Sequence, residues 1–241
     1  MTNKIEETEN IKNIENIQNK PQDAIVETTH TVKTDESAAG SKMVKGATIL
    51  AVAGIVAKIF GAIFRIPLTN LIGAEGMSYY GVAYPVYSFF LILATAGLPV
   101  AISRMVSKRV ALGDYRNAHK SYKVSMRVMI VIGVVSFVVC FLGAEQIATM
   151  MGNPGAAMSL QAISPALLIA PIVSAYRGYF QGQQNMYPTA VSEVFEQMAR
   201  VAVGLFLSFT LVKVSLEHAS AGATFGASAG LVMSLIVTSL A

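Results

Sequence analysis

The stretch Gly46–Pro67, GATILAVAGIVAKIFGAIFRIP, decides how this chain is read. It is apolar over a length that crosses a bilayer, yet Lys58 and Arg65 stand inside it. A helix turns about 100° per residue, so Gly54, Lys58, Gly61 and Arg65, spaced four, three and four apart, fall on one narrow face. The other faces carry Ile, Val, Ala and Phe. A cation in hydrocarbon costs roughly 2.5–3.5 kcal/mol on insertion scales. Two on one stripe therefore call either for a watery cavity that holds an anion, or for side chains that snorkel to the headgroups. Arg65, close to the end of the run, suits either. Lys58, near mid-span, suits the cavity better. Gly54 and Gly61 let a second helix or a ligand come close to the stripe.

The rest of the chain is of the same kind. Of 241 residues, 54% are hydrophobic and 13% charged, and the mean hydropathy is +0.55. That is too apolar for an ordinary soluble domain. The apolar runs are long and do not alternate, so the expected fold class is all-α, a polytopic transmembrane helix bundle. Residues 1–45 hold six Lys against eight Asp or Glu, whereas residues 46–241 hold twelve Lys or Arg against six acids. The basic excess belongs to the membrane part, where it sets orientation rather than binding nucleic acid. The single cysteine, Cys140, lies in an apolar run and offers neither a disulfide framework nor a thiolate metal site.

Two domains are expected. Residues 1–42 are rich in Glu, Asn, Thr and Lys and read as a disordered, solvated cytoplasmic tail, because they cannot bury enough surface to offset chain entropy. Residues 43–241 read as the helix bundle, with about six spans near 46–67, 79–103, 124–144, 157–178, 188–212 and 219–241. The loop after span two holds Arg104, Lys108, Arg109, Arg116, Lys120, Lys123 and Arg127 against Asp114 alone, a cytoplasmic signature. The next connection, 144–155, has Glu145 and no cation, so it is expected outside. The amino terminus is then cytoplasmic.

Two further stretches could carry chemistry. Span five holds Glu193, Glu196 and Arg200 on one face, with Glu196 and Arg200 four apart. They read either as a self-neutralised structural ion pair or as a proton or cation site. Near the end of span four, Tyr176–Tyr187 combines aromatics, glycines and amides with Arg177, either as a polar turn or as a surface for sugar hydroxyls. Pro85 and Pro99 in span two, and Pro165 and Pro171 in span four, are expected to bend their helices. Such bends suit transporters, and membrane helices also tolerate them generally. No catalytic set, metal-ligand spacing or phosphate-binding loop stands out, so neither an enzyme, a metal nor a cofactor is expected.

Several of these stretches together resemble a known family. They are Lys58–Gly76 (KIFGAIFRIPLTNLIGAEG), Pro85 with Ala96–Arg104 (AGLPVAISR), Gly113–Ala118 (GDYRNA), Tyr176–Ala190 (YRGYFQGQQNMYPTA) and Glu196–Arg200 (EQMAR). The sequence resembles bacterial polysaccharide-type flippases, the stage V sporulation protein B group related to lipid II flippases. That group sits within the multidrug/oligosaccharidyl-lipid/polysaccharide (MOP) superfamily. The resemblance covers residues 42–241. It implies a two-lobe bundle with a central cavity that works by alternating access. These residues would form the first lobe, with a second lobe or second chain completing the cavity.

The implied substrate is an undecaprenyl-linked sugar pyrophosphate, such as a peptidoglycan or polysaccharide precursor, in a bacterial cell membrane. First-span arginines would hold its pyrophosphate. Lys58 stands at one such position as lysine, Arg65 lies within one residue of the next, and a second-span arginine has no counterpart near Ser88 and Phe89. Lys58, Gly61, Arg65 and Arg177 are the expected substrate-binding residues, and Glu193, Glu196 and Arg200 the expected ion-coupling ones. A cation-coupled multidrug exporter of the same superfamily is the alternative. A third reading is a membrane assembly factor whose basic loop docks lipid or a partner.

Overall fold

The computed structural model describes residues 22–95 and 97–241, with side chains from Val44 onward. The chain falls into two units, Met1–Lys45 and Gly46–Ala241. Of the expected tail, residues 1–21 lie outside the described residues. From Gln22 the backbone is already helical, where the composition suggested disorder. A helix satisfies its backbone hydrogen bonds within the segment, so a polar stretch can be helical without a buried core of its own.

The described residues form helices α1 (Gln22–Thr95), α2 (Leu98–Ala111), α3 (Tyr115–Leu142), α4 (Ala144–Met150), α5 (Ala157–Gly182), α6 (Tyr187–Leu211) and α7 (Leu216–Leu240). A 3₁₀ turn, Pro154–Ala156, precedes α5. Among them are five apolar helical runs long enough to cross a membrane. The first, Val44–Ala111, has 68 residues. Drawn straight it would measure about 100 Å, three times the thickness of a bilayer core.

It is not straight. Gly73 has φ 66° and ψ −168°, a region open essentially to glycine alone. The chain reverses there, which the ring contacts prove: Phe64 and Tyr80 have centroids 6.4 Å apart, whereas 16 residues of continuous helix would separate them by about 24 Å. The connection between the expected spans 46–67 and 79–103 is thus a one-residue hinge at Gly73 between two antiparallel arms of α1. Phe64, Leu68 and Ile72 of the first arm are buried with Ala219 and Ala223 of α7.

Span two also differs from the expectation. It breaks at Gly97 (φ 72°), so Pro99 sits in the first turn of α2 rather than bending a helix interior. Proline is tolerated there because its missing N–H would have had no partner. Pro67, Pro85, Pro165 and Pro171 do lie inside helices. The expected basic loop is also largely helical. Residues 104–127 are helical except for the turn around Leu112–Asp114, and Ile102 and Val106 of α2 are buried with Ala118, Tyr122 and Met129 of α3. The cations point off an amphipathic hairpin whose apolar side is packed. Asp114 caps α3 by accepting from the Asn117 backbone N–H at 3.2 Å and its side-chain amide at 2.7 Å. These bonds, first the amide and then the backbone one, hold its carboxyl below the usual range.

Small residues set the spacing of the last helices. A Cβ added at Gly226 would stand 2.7 Å from the Arg200 carbonyl oxygen, and one at Gly230 would stand 2.6 Å from that of Glu196. The α7 backbone therefore rests directly on α6 beside its charged residues. Hydroxyl bonds join α5 to α7: Ser159 Oγ with Ser220 Oγ at 2.9 Å, Thr224 Oγ1 to the Ser159 carbonyl at 3.0 Å, and Ser228 Oγ to the Ala162 carbonyl at 3.2 Å. Cys140 is fully buried and serves packing.

Candidate functional site

Four helices build one charged network. From α5, Arg177 donates through Nη2 to Glu196 Oε2 at 2.8 Å and to Ser234 Oγ of α7 at 2.9 Å. Its Nε donates to Ser192 Oγ at 3.1 Å. Glu193 lies 3.9 Å from Arg177 Nη1, a looser pair. The other Glu196 oxygen accepts from Arg200 Nη2 at 3.3 Å, and Arg200 Nη1 donates to the Tyr84 hydroxyl of α1 at 3.1 Å. Glu196 is buried, as a carboxylate flanked by two guanidinium groups can be.

Two cavities flank this network. One, of about 270 Å³, is bordered by Tyr84, Tyr87, Ser88, Thr95, Ser174, Arg177, Glu196, Gln197 and Arg200. The other, of about 210 Å³, is bordered by Gly61, Phe64, Arg65, Leu68, Tyr80, Tyr84, Gln197, Arg200 and Val201. They meet at Tyr84, Gln197 and Arg200. On the second arm of α1, Tyr80 stacks on Tyr84 at 5.5 Å, and Tyr87 follows at 5.8 Å from Tyr84.

The depth of the site follows from helix rise. Ile72 is buried with Ala219 and packs beside Val212, so the Gly73 hinge and the α6–α7 turn share one end of the bundle. Arg65 lies eight residues before Gly73, about 12 Å. Tyr84 lies eleven residues after it, and Arg200 eleven before Leu211, each about 16 Å. With the hinge end set at the edge of a hydrocarbon layer about 30 Å thick, all three fall near its middle.

The structure sorts the residues singled out from the sequence. Gly61 and Arg65 border the second cavity. Lys58 and Arg65 are both exposed, on the same side of α1 and about 10 Å apart along it, and Lys58 borders neither cavity. A Cβ at Gly54 or Gly61 would meet nothing within 4 Å, so this stripe fronts open space. Arg177, expected among the substrate contacts, and Glu196, expected in ion coupling, belong to one network. Among the described residues no carboxylate pairs with Arg65, while Arg177 and Arg200 both have one. Sequence reasoning passed over Tyr80, Tyr84 and Tyr87. Their spacing of four and three, which places them on one helix face, was the available signal.

A family model described as polysaccharide biosynthesis protein matches residues 43–240. The chain is 35% identical over 209 residues to the lipid II flippase MurJ of Bacillus subtilis (strain 168), covering 80% of this chain and 38% of that protein. It is 34% identical over 196 residues to stage V sporulation protein B of the same organism, covering 80% and 37%. It thus spans little more than a third of the length of these curated relatives. A crystal structure of MATE in complex with MaD3S superposes with a TM-score of 0.70 at 18% identity, over 83% of this chain and 44% of that one. At that identity the likeness speaks for the fold alone.

Proposed function

The chain belongs to the polysaccharide biosynthesis protein family, and on that premise we propose that it forms one lobe of a translocator for an undecaprenyl-linked oligosaccharide pyrophosphate. The chain is a multi-pass helical membrane protein. One observation carries the reading of its site: Arg65, without a carboxylate partner among the described residues, borders a mid-depth cavity shared with Arg200. A lone cation at that depth is costly unless something anionic meets it. Guanidinium groups match the oxygens of a pyrophosphate well. Lys58, two helical turns away on the same open face, extends the positive surface along which a headgroup would pass. The open stripe on α1 would face a second lobe or second chain, and alternating access would work by the two lobes rocking about the headgroup.

In this reading the amino terminus is cytoplasmic and the basic α2–α3 hairpin lies at the inner surface of a bacterial cell membrane, by the positive-inside rule. Glu193, the less tightly held carboxylate, would be the group that takes up a coupling proton or cation. The exporter alternative, with a cationic substrate in the same place, fits less well. Glu196 is already bracketed by two guanidinium groups.

The test is translocation of a fluorescent polyprenyl-pyrophosphate oligosaccharide in vesicles by the intact transporter. The Lys58→Ala, Arg65→Ala double variant is expected to lose translocation while inserting normally. Wild-type rates in that variant would reject the site.

A further inference from the structure

Among the described residues, Arg200 is the one cation that borders both cavities, and its guanidinium is incompletely held. Nη1 reaches the Tyr84 hydroxyl at 3.1 Å, Nη2 reaches Glu196 Oε1 at 3.3 Å, and Nε is buried with no hydrogen-bond partner. Arg177 is held far more completely, by Ser192, Ser234 and Glu196. A charge-assisted N–H···O bond runs at about 2.7–2.9 Å. The bond from Arg177 to Glu196, at 2.8 Å, has that length and the bond from Arg200 does not. Glu196 therefore stays anchored by Arg177 whether or not Arg200 remains beside it.

We propose that Glu196 is a built-in stand-in for the ligand's anionic group, and that Arg200 swaps from Glu196 to a phosphate-type anion entering the Arg65 cavity. This rests on reading that cavity as an anion site, and it moves Arg200 from ion coupling to ligand binding. The exchange replaces one anion by another at Arg200, so no guanidinium is left unpaired in a low-dielectric interior. Glu196 keeps its bond to Arg177, so no carboxylate is orphaned either. The spare Nε supplies a donor that Glu196 does not use, and phosphoryl oxygens can accept from both edges of the guanidinium fork. Tyr84 keeps the group poised between the two cavities until the anion arrives. The stand-in also sets selectivity, because a ligand must out-compete a carboxylate already in place. Neutral and cationic molecules cannot do so.

The test uses inorganic pyrophosphate as the probe on the whole chain in nanodiscs, with binding read by calorimetry and by the ligand-induced rise in unfolding temperature. Glu196→Gln keeps an acceptor facing Arg177 and removes the charge that competes for Arg200. It is expected to bind pyrophosphate about threefold tighter or more. That gain is expected to vanish when Arg200→Ala is added, and Arg65→Ala is expected to abolish binding in every background. Absence of a gain in folded Glu196→Gln, or a gain that survives in Arg200→Ala, overturns the stand-in role. Should Glu196→Gln fail to fold, Tyr84→Phe decides, since it loosens Arg200 without touching a carboxylate. Tighter binding there supports the swap, and unchanged or weaker binding overturns it. If wild type binds neither pyrophosphate nor farnesyl pyrophosphate, the anion-site reading itself falls and takes the swap with it.

Discussion

Arg177 and Glu196, 19 residues apart in sequence, are joined at 2.8 Å between α5 and α6. The pair locks the two helices at the level of the candidate site, and both side chains are mostly covered. Removing one partner of a buried ion pair typically costs about 3–5 kcal/mol, because the other charge is left without compensation. Arg177→Ala and Glu196→Ala are each expected to lower stability strongly in reversible detergent unfolding. Glu193→Ala is expected to cost much less, since Glu193 sits 3.9 Å from Arg177. In a double-mutant cycle, Arg177 and Glu196 should couple by about 0.5–3 kcal/mol. Additive single effects would contradict the geometry.

The hinge at Gly73 gives a second expectation. Its φ of 66° with ψ of −168° is strained for any residue with a Cβ, at a cost of about 1–3 kcal/mol. Gly73→Ala should lower the unfolding temperature in detergent although the added methyl meets no neighbour within 4 Å. An unchanged temperature would mean that the two arms of α1 can be joined in another way.

Glycines elsewhere separate into two groups. Gly230→Ala would press a methyl against the Glu196 carbonyl oxygen at 2.6 Å, and overpacking of this kind costs about 1–3 kcal/mol. Gly54→Ala and Gly61→Ala face open space and should not destabilise by crowding. Thermal unfolding of the three variants side by side checks the contrast. Equal losses in all three would show that crowding is not the cause.

The start of α3 should respond to acid with a defined sign. The Asp114 carboxyl is held below its ordinary value by bonds from Asn117, so it binds protons less readily folded than unfolded. Its contribution is complete above the ordinary carboxylate pKa of about 4 and is lost as pH falls through the lowered folded value. Amide chemical shifts of residues 115–118 are expected to stay constant down to about pH 4 and to change below it. In Asp114→Asn that step should disappear.

Orientation can be measured directly. With a cytoplasmic amino terminus, Arg116→Cys should react with a membrane-impermeant maleimide only after the inner face is opened. Glu145→Cys, which lies at the opposite end of α3, should react in intact cells. The reverse pattern would invert the assigned topology.

The amino-acid sequence by itself determined the class of the molecule and its approximate crossings. Runs such as Gly46–Pro67 leave hydrocarbon as the only fitting solvent, and in hydrocarbon the backbone must satisfy its own hydrogen bonds as helix. It also determined neighbours within one helix: Glu196 and Arg200 meet at 3.3 Å because 3.6 residues make a turn. Only the tertiary structure decided what each helix face meets. That Arg177 belongs with Glu196, that Arg65 shares a cavity with Arg200 while Lys58 does not, and that Tyr84 stands between the cavities all depend on helix rotation and approach. Those are set by Gly226 and Gly230 on α7 and by the reversal at Gly73. Periodicity fixes angles about one axis. The angle between axes comes from close packing of residues far apart in the chain, and no local pattern carries it.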